Sequence, residues 1–171
     1  MSRFRPPREP SSPYITPEGQ LKLTRELQYL WKKKRPEVTQ KVSEAAALGD
    51  RSENAEYIYG KKQLREIDGR IQFLSKRLDV LTVVDRLPSN RNKVFFGAWV
   101  TISETDDANT HTATYRLVGA DEIGETAGCI SIDSPMAKSL LGKTIGDTCK
   151  ITIPEKSRRV TIIDISYVTP K

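Results

Sequence analysis

Within the stretch LGDRSENAEY (48–57), two carboxylates, Asp50 and Glu53, stand three residues apart with Arg51 between them. The spacing fits two chemistries. An Asp at a helix start followed three residues later by Glu resembles a capping box, which satisfies the first N–H groups of a helix. Two carboxylates fixed on one outward turn are also hard oxygen ligands of the kind Mg²⁺ takes. By themselves they are too few, because Mg²⁺ prefers six oxygens, keeps waters, and is usually held by one or two carboxylates plus phosphate oxygens. A metal at this stretch would therefore be shared, its remaining ligands coming from another macromolecule. The isolated protein is expected to bind none.

Two long helical segments must position this stretch. After it, Tyr57, Gly60, Leu64, Ile67, Ile71, Leu74, Leu78 and Leu81 alternate spacings of three and four, which is a coiled-coil seam. Before it, Leu23, Leu27 and Leu30 start a run whose phase shifts to Trp31, Arg35, Val38, Val42 and Ala45. Pro36 falls near that shift and is expected to kink the helix there. Thr16-Pro17 is a good helix start, a capping hydroxyl followed by proline in the first turn. Two helices of about 30 residues joined by a short link fold back as an antiparallel hairpin with arms about 45 Å long. Its tip is 49–54, within a helical region of 14–87. The carboxylates of Asp50 and Glu53 then face outward past the end of the hairpin.

Basic residues gather beneath that tip. In a hairpin turning near residue 51 or 52, residues whose numbers add to about 103 lie side by side. That sets Lys41 opposite Lys62, with Lys61, Arg65 and Arg51 within about 20 Å of the end. A basic neck under an acidic tip suits an RNA or DNA backbone held against the neck while a phosphate and a metal meet the tip. The wider charge pattern agrees. The chain carries a formal +6; residues 1–15 hold +2, residues 16–86 hold +4, and residues 87–171 are neutral. A polyanionic neighbour is expected at the N-terminal half.

Beyond LPSNRNK, with 88–93 as the linker, the periodicity changes to short strands. VFFGAWVTI, HTATYRLVG, GCISI, TCKITI and RRVTIIDISYV are β-branched or aromatic runs separated by turn residues. A short helix near Pro135 to Leu141 interrupts them, entered through Asp133-Ser134-Pro135 and stopped at Gly142. Several of Phe95, Phe96, Trp99, Tyr115 and Tyr167 are expected in the core. The fold class is α+β, an N-terminal helical hairpin followed by a small sheet domain at 94–171.

Other classes are excluded or set aside. The single histidine, His111, rules out HExxH and zinc sites with several imidazoles, and its polar surroundings, TDDANTHT, suggest a solvated loop. Cys129 and Cys149 lack CxxC spacing and are read as reduced core thiols of a cytoplasmic protein. No run approaches the roughly 18 apolar residues of a membrane span. The proline-rich residues 1–13 are read as a disordered tail.

GDRSENAEY, flanked by ELQYLWKKKRPEVTQKV and KKQLREIDGRIQFL, resembles the bacterial transcript cleavage factors of the Gre family. VFFGAWVTI, YRLVGADEI and ISIDSPMAKSLLGKTIGDT extend the resemblance to about residues 14 to 169. The RPEV stretch and the Lys61-Lys62 pair look more like the GreB type than the GreA type; the tail 1–13 lies outside the family pattern. The resemblance implies an FKBP-like C-terminal domain, from which prolyl isomerase activity does not follow. It also implies a monomer that inserts its coiled coil into the secondary channel of RNA polymerase. Asp50 and Glu53 would be the catalytic pair, helping to hold a Mg²⁺ shared with the polymerase while backtracked RNA is cut near its 3′ end. Arg51, Lys41, Lys61, Lys62 and Arg65 would meet the nascent RNA. Asp133, Ser134, Pro135 and Met136 would dock on the channel rim, although the residues by themselves favour a plain helix cap. Two other readings remain: a secondary-channel regulator that does not promote cleavage, and an independent metal nuclease (for which the ligands are too few) or RNA-binding coiled coil.

Overall fold

The computed structural model describes residues 10–48, 54–106, 109–124, 126–153 and 156–168. The chain divides into two compact units, one of Glu18–Leu81 and one of Met1–Pro17 with Thr82–Lys171. Both helices of the expected hairpin lie in the first unit and the sheet in the second, an α+β protein.

In the helical unit, α1 (Pro17–Tyr29) passes through a π-helical turn (Leu30–Lys34) into α2 (Arg35–Ala47), and α3 (Ala55–Val80) returns against it. The widened turn has a local cause. Pro36 has no N–H, and its ring crowds the carbonyl four residues back, so the regular ladder cannot run through. The Arg35 N–H instead reaches the Leu30 carbonyl, five residues back, and the helix continues beyond with Pro36 in the first turn of α2. The extra residue in the turn also corrects the expected seam. Trp31 does not enter it and is 59% exposed. Leu27 and Leu30 pack against a buried cluster of Val38, Val42, Ile67 and Ile71, and Ala45 is buried nearer the tip.

Every expected seam position of the second arm, from Tyr57 to Leu81, is buried or half-buried. Each fully buried aliphatic side chain here contributes about 1.5–3 kcal/mol, whereas the polar edges contribute less. Arg35 Nε donates to Asp68 Oδ1 at 2.7 Å, and these two numbers add to the 103 expected of the hairpin. Arg70 grips Glu26 through two bonds of 2.7 and 2.9 Å. Such exposed pairs are worth roughly 0–1 kcal/mol each.

In the second unit, β3 (Trp99–Asp106), β4 (Asn109–Val118), β5 (Cys129–Ser131), β6 (Thr148–Ile153) and β7 (Lys156–Ser166) form one sheet in the order β5-β4-β3-β7-β6. All neighbours are antiparallel except β4 and β5. Helix α4 (Pro135–Leu140) contributes Ala137 and Leu140 to the core, where they join Val94, Val100, Leu117, Ile151 and Ile162. That core is aliphatic. Contrary to expectation no aromatic ring is fully buried among the described residues: Tyr115 and Tyr167 pack at its margin and Phe95 is exposed. Tyr167 has a polar reason to stay at the edge, since its hydroxyl donates to the Lys93 carbonyl at 2.6 Å and accepts from the Phe95 N–H. His111 is exposed but lies on β4 opposite Glu104, not in a loop. Both cysteines are free thiols; Cys149 is buried and Cys129 partly so, and burial raises the pKa of each.

The boundaries differ from those read in the sequence. The first strand, β1 (Tyr14–Ile15), pairs in parallel with β2 (Thr82–Val83), so residues 14–17 and 82–87 belong with the sheet unit and not with the hairpin. Tail residues Ser12 and Pro13 are hydrogen-bonded, the Pro13 carbonyl accepting from Thr82 at 2.7 Å. Lys93 bridges to Thr144 and is part of the fold, not of a linker. Thr16 is buried, and its hydroxyl and N–H both donate to the Glu122 carboxylate.

Candidate functional site

The connection between α2 and α3 is set by one residue. Asn54, in extended conformation, accepts the Tyr57 N–H through Oδ1 at 3.1 Å and so caps α3. Its Nδ2 donates to the Ala45 carbonyl at 2.8 Å, satisfying an end group of α2. One amide thereby clasps the end of one arm to the start of the other. Asp50 was the expected cap; the helix begins at Ala55, and the cap is Asn54. Aspartate could accept but not donate, so it could not make both contacts. The sequence did carry a signal, because Asn is among the strongest N-cap residues and stands directly before AEYIYG. Asp50, Arg51 and Glu53 themselves lie outside the described residues.

Below the clasp the arms approach closely at Gly60, which faces Val42. Lys41, Lys61, Lys62 and Arg65 are all exposed on the two arms, as a polyanion contact requires. They are not equivalent. Lys41 Nζ donates to Glu37 Oε1 at 2.9 Å. That hydrogen bond, with the Glu37 charge, raises the Lys41 pKa, and the same bond, with the charges of Lys34 and Lys41, lowers that of Glu37. Arg65 Nε donates to the Lys61 carbonyl at 3.3 Å, along its own helix.

On the sheet unit, the four expected docking residues form the entry to α4. Ser134 is the cap, accepting the Ala137 N–H at 3.1 Å, and Pro135 follows at the first helical position, exposed. Met136 packs against the core. Asp133 has its N–H bound by Ser131 Oγ at 3.1 Å and its carboxylate by Ser12. Ser12 and the clasp residue Asn54 are the two positioning residues that the sequence did not single out.

Among the described residues no group of three His, Cys, Asp or Glu side chains could hold a metal ion. Asp50 and Glu53 lie outside the described residues, and two carboxylates are by their chemistry too few to complete the shell of a Mg²⁺ ion. Among the described residues, too, no helix is long and apolar enough to cross a membrane.

Residues 13–83 match the family described as "Transcription elongation factor, N-terminal", and residues 88–167 match "Transcription elongation factor, GreA/GreB, C-term". The chain belongs to the GreA/GreB family of transcription elongation factors. It is 53% identical over 167 residues to transcription elongation factor GreB of Pseudomonas aeruginosa, covering 98% of both chains. It is 57% identical over 143 residues to GreB of Haemophilus influenzae, covering 84% of this chain and 89% of that one. With GreB of Xanthomonas axonopodis it shares 49% over 170 residues, 99% of each.

Proposed function

We propose that this chain is a cytoplasmic, GreB-type elongation factor that binds RNA polymerase through its secondary channel and stimulates endonucleolytic cleavage of backtracked nascent RNA. The observation that carries this reading is the likeness to GreB over 98% of both chains, which includes both structural units. The Asn54 clasp supports it, because the ends of the two arms are held together and the acidic connection between them runs only from residue 48 to 54.

In this reading the hairpin arms deliver Asp50 and Glu53 to the polymerase active centre, where the two carboxylates would hold a Mg²⁺ together with polymerase ligands. When bound, that ion supplies the charge that lowers the pKa of an attacking water. Arg51, Lys41, Lys61, Lys62 and Arg65 hold the extruded RNA by its phosphates, Lys41 less than the others because Glu37 already engages it. The α4 entry, with Pro135 exposed and the half-buried Asp133 beside it, docks the sheet unit on the channel rim. The factor acts as a monomer and does not cut RNA alone.

The test is a stalled, backtracked elongation complex carrying labelled RNA, treated with this protein, with Asp50→Asn or with Glu53→Gln. The wild type is expected to release 3′ fragments and restore elongation, and naked RNA with Mg²⁺ should stay intact. Each variant should still bind polymerase while losing most stimulated cleavage. Polymerase binding without any stimulated cleavage by the wild type would replace this reading with that of a channel regulator.

A further inference from the structure

Both oxygens of the Asp133 carboxylate are engaged by a single residue of the N-terminal segment. The Ser12 N–H donates to Oδ2 at 2.9 Å, and the Ser12 hydroxyl donates to Oδ1. The two residues lie 121 positions apart in sequence and both are half-buried. The segment that presents Ser12 is fixed at three further points. The Pro13 carbonyl accepts from Thr82, Ile15 is fully buried in its pairing with Val83, and Thr16 is bound to Glu122. The backbone beneath Asp133 is fixed as well, since Ser131 Oγ accepts the Asp133 N–H and the Ser131 carbonyl accepts the Ser134 N–H at 2.9 Å. Two donors on the two oxygens of a planar group restrain the rotation of the Asp133 side chain.

We infer that Ser12 is a positioning residue for polymerase docking. It holds the Asp133 carboxylate in one orientation before the encounter, so the ordering of this side chain is not left to the binding step. The inference rests on the docking role proposed above for the α4 entry. It makes residues 12 and 13 a working part of the docking surface. Immobilising one side chain on binding costs an amount that corresponds to roughly two- to tenfold in affinity. That is the size of effect expected when the clasp is lost.

The experiment measures cleavage of backtracked complexes against concentration of the full-length protein, for Ser12→Ala, Ser12→Thr, Ser12→Pro, Asp133→Ala and the double variant Ser12→Ala/Asp133→Ala. Ser12→Ala removes one donor and Ser12→Pro both. The half-maximal concentration should rise by about two- to tenfold for Ala, and further for Pro. The plateau rate should not change, and urea midpoints should stay within error of wild type for Ala and Thr. Ser12→Thr keeps the hydroxyl and should restore the wild-type concentration dependence. In the Asp133→Ala background, Ser12→Ala should cost clearly less than it does alone. If Asp133→Ala weakens docking while Ser12→Ala does not, or if Ser12→Ala costs as much without Asp133, the inference is overturned and the docking role stands. A lower half-maximal concentration for Ser12→Ala also overturns it, by showing that the contact obstructs docking. If Asp133→Ala leaves docking unchanged, the docking role of the loop fails, and the inference with it.

Discussion

Gly60 and Val42 are so close that a Cβ built on the glycine would stand 2.5 Å from Val42 Cγ2. The arms of the hairpin touch there because one of them carries no side chain. Gly60→Ala should gain up to about 1 kcal/mol in helix propensity and lose about 1–3 kcal/mol to overpacking, since a valine in a helix has one strongly preferred rotamer. A net loss of roughly 1 kcal/mol is expected in urea unfolding. Val42→Ala makes room, so the double variant should lose less than the two single losses combined. Strict additivity would show that the two residues do not meet.

Asn54 should matter more than its surface position suggests. Asn54→Ala removes the cap and the bond to Ala45 together and should destabilise the hairpin by about 1–2 kcal/mol. Asn54→Asp keeps the cap acceptor but loses the donor, and should fall between wild type and Ala. At saturating protein, stimulated cleavage should decline in the same order. A cleavage rate indifferent to all three residues would separate the clasp from the chemistry.

The basic neck should act through charge, and so depend on salt. Each phosphate contact to a single strand contributes about 0.7 to the slope of log affinity against log salt. Lys61→Ala with Lys62→Ala should leave shortly backtracked complexes nearly unaffected. The same variant should impair deeply backtracked ones, with a deficit that shrinks as salt rises. Lys41→Ala should cost less, because Glu37 already occupies that ammonium. Rates for short and long backtracks at two salt concentrations provide the measurement. An equal loss on both, whatever the salt, would assign the lysines to the fold or to polymerase.

The Glu26–Arg70 pair should mark the hairpin's stability on the acid side. The hydrogen bond from Arg70 lowers the Glu26 pKa, partial burial opposes it, and the charges of Arg70 and Lys22 assist. A carboxyl whose pKa is lower when folded stabilises above its unfolded value and loses that contribution as pH falls through its folded one. Glu26→Gln should therefore lower the melting temperature slightly near neutrality, by the equivalent of at most about 1 kcal/mol for so exposed a pair. The gap between variant and wild type should close as pH drops below the ordinary carboxylate range. A gap constant from pH 7 to pH 3 would mean that packing, not ionisation, is lost.

Legibility followed the range of the interactions. The seam from Tyr57 to Leu81 could be read because its spacing is unbroken and every one of its positions is buried or half-buried. The first arm was misread at Trp31, since a π-helical turn shifts the phase without changing composition. Asp50 and Asn54 both suit a cap; what decided between them was the bond to Ala45, nine residues back, a contact no local pattern contains. The five strand regions were plain from β-branched runs, but their order was not. The clasps of Ser12 on Asp133 and Thr16 on Glu122 join residues more than a hundred positions apart, and no periodicity reports on them. The tip chemistry rested on residue types alone, and Asp50 and Glu53 lie outside the described residues.

The parallel pairing of β1 with β2 has a consequence for how the chain folds. Tyr14 meets Thr82, so in an unstructured chain this contact would close a loop of nearly 70 residues at a chain-entropy cost of about 4 kcal/mol. The hairpin fills that loop. Once the arms have zipped along contacts that are local near the turn, the two chain ends emerge side by side, and most of the closure cost has already been met. The long arms thus also act as the tether that makes a two-residue parallel ladder affordable. A change near the turn that loosens the arms should weaken the β1–β2 junction without touching it.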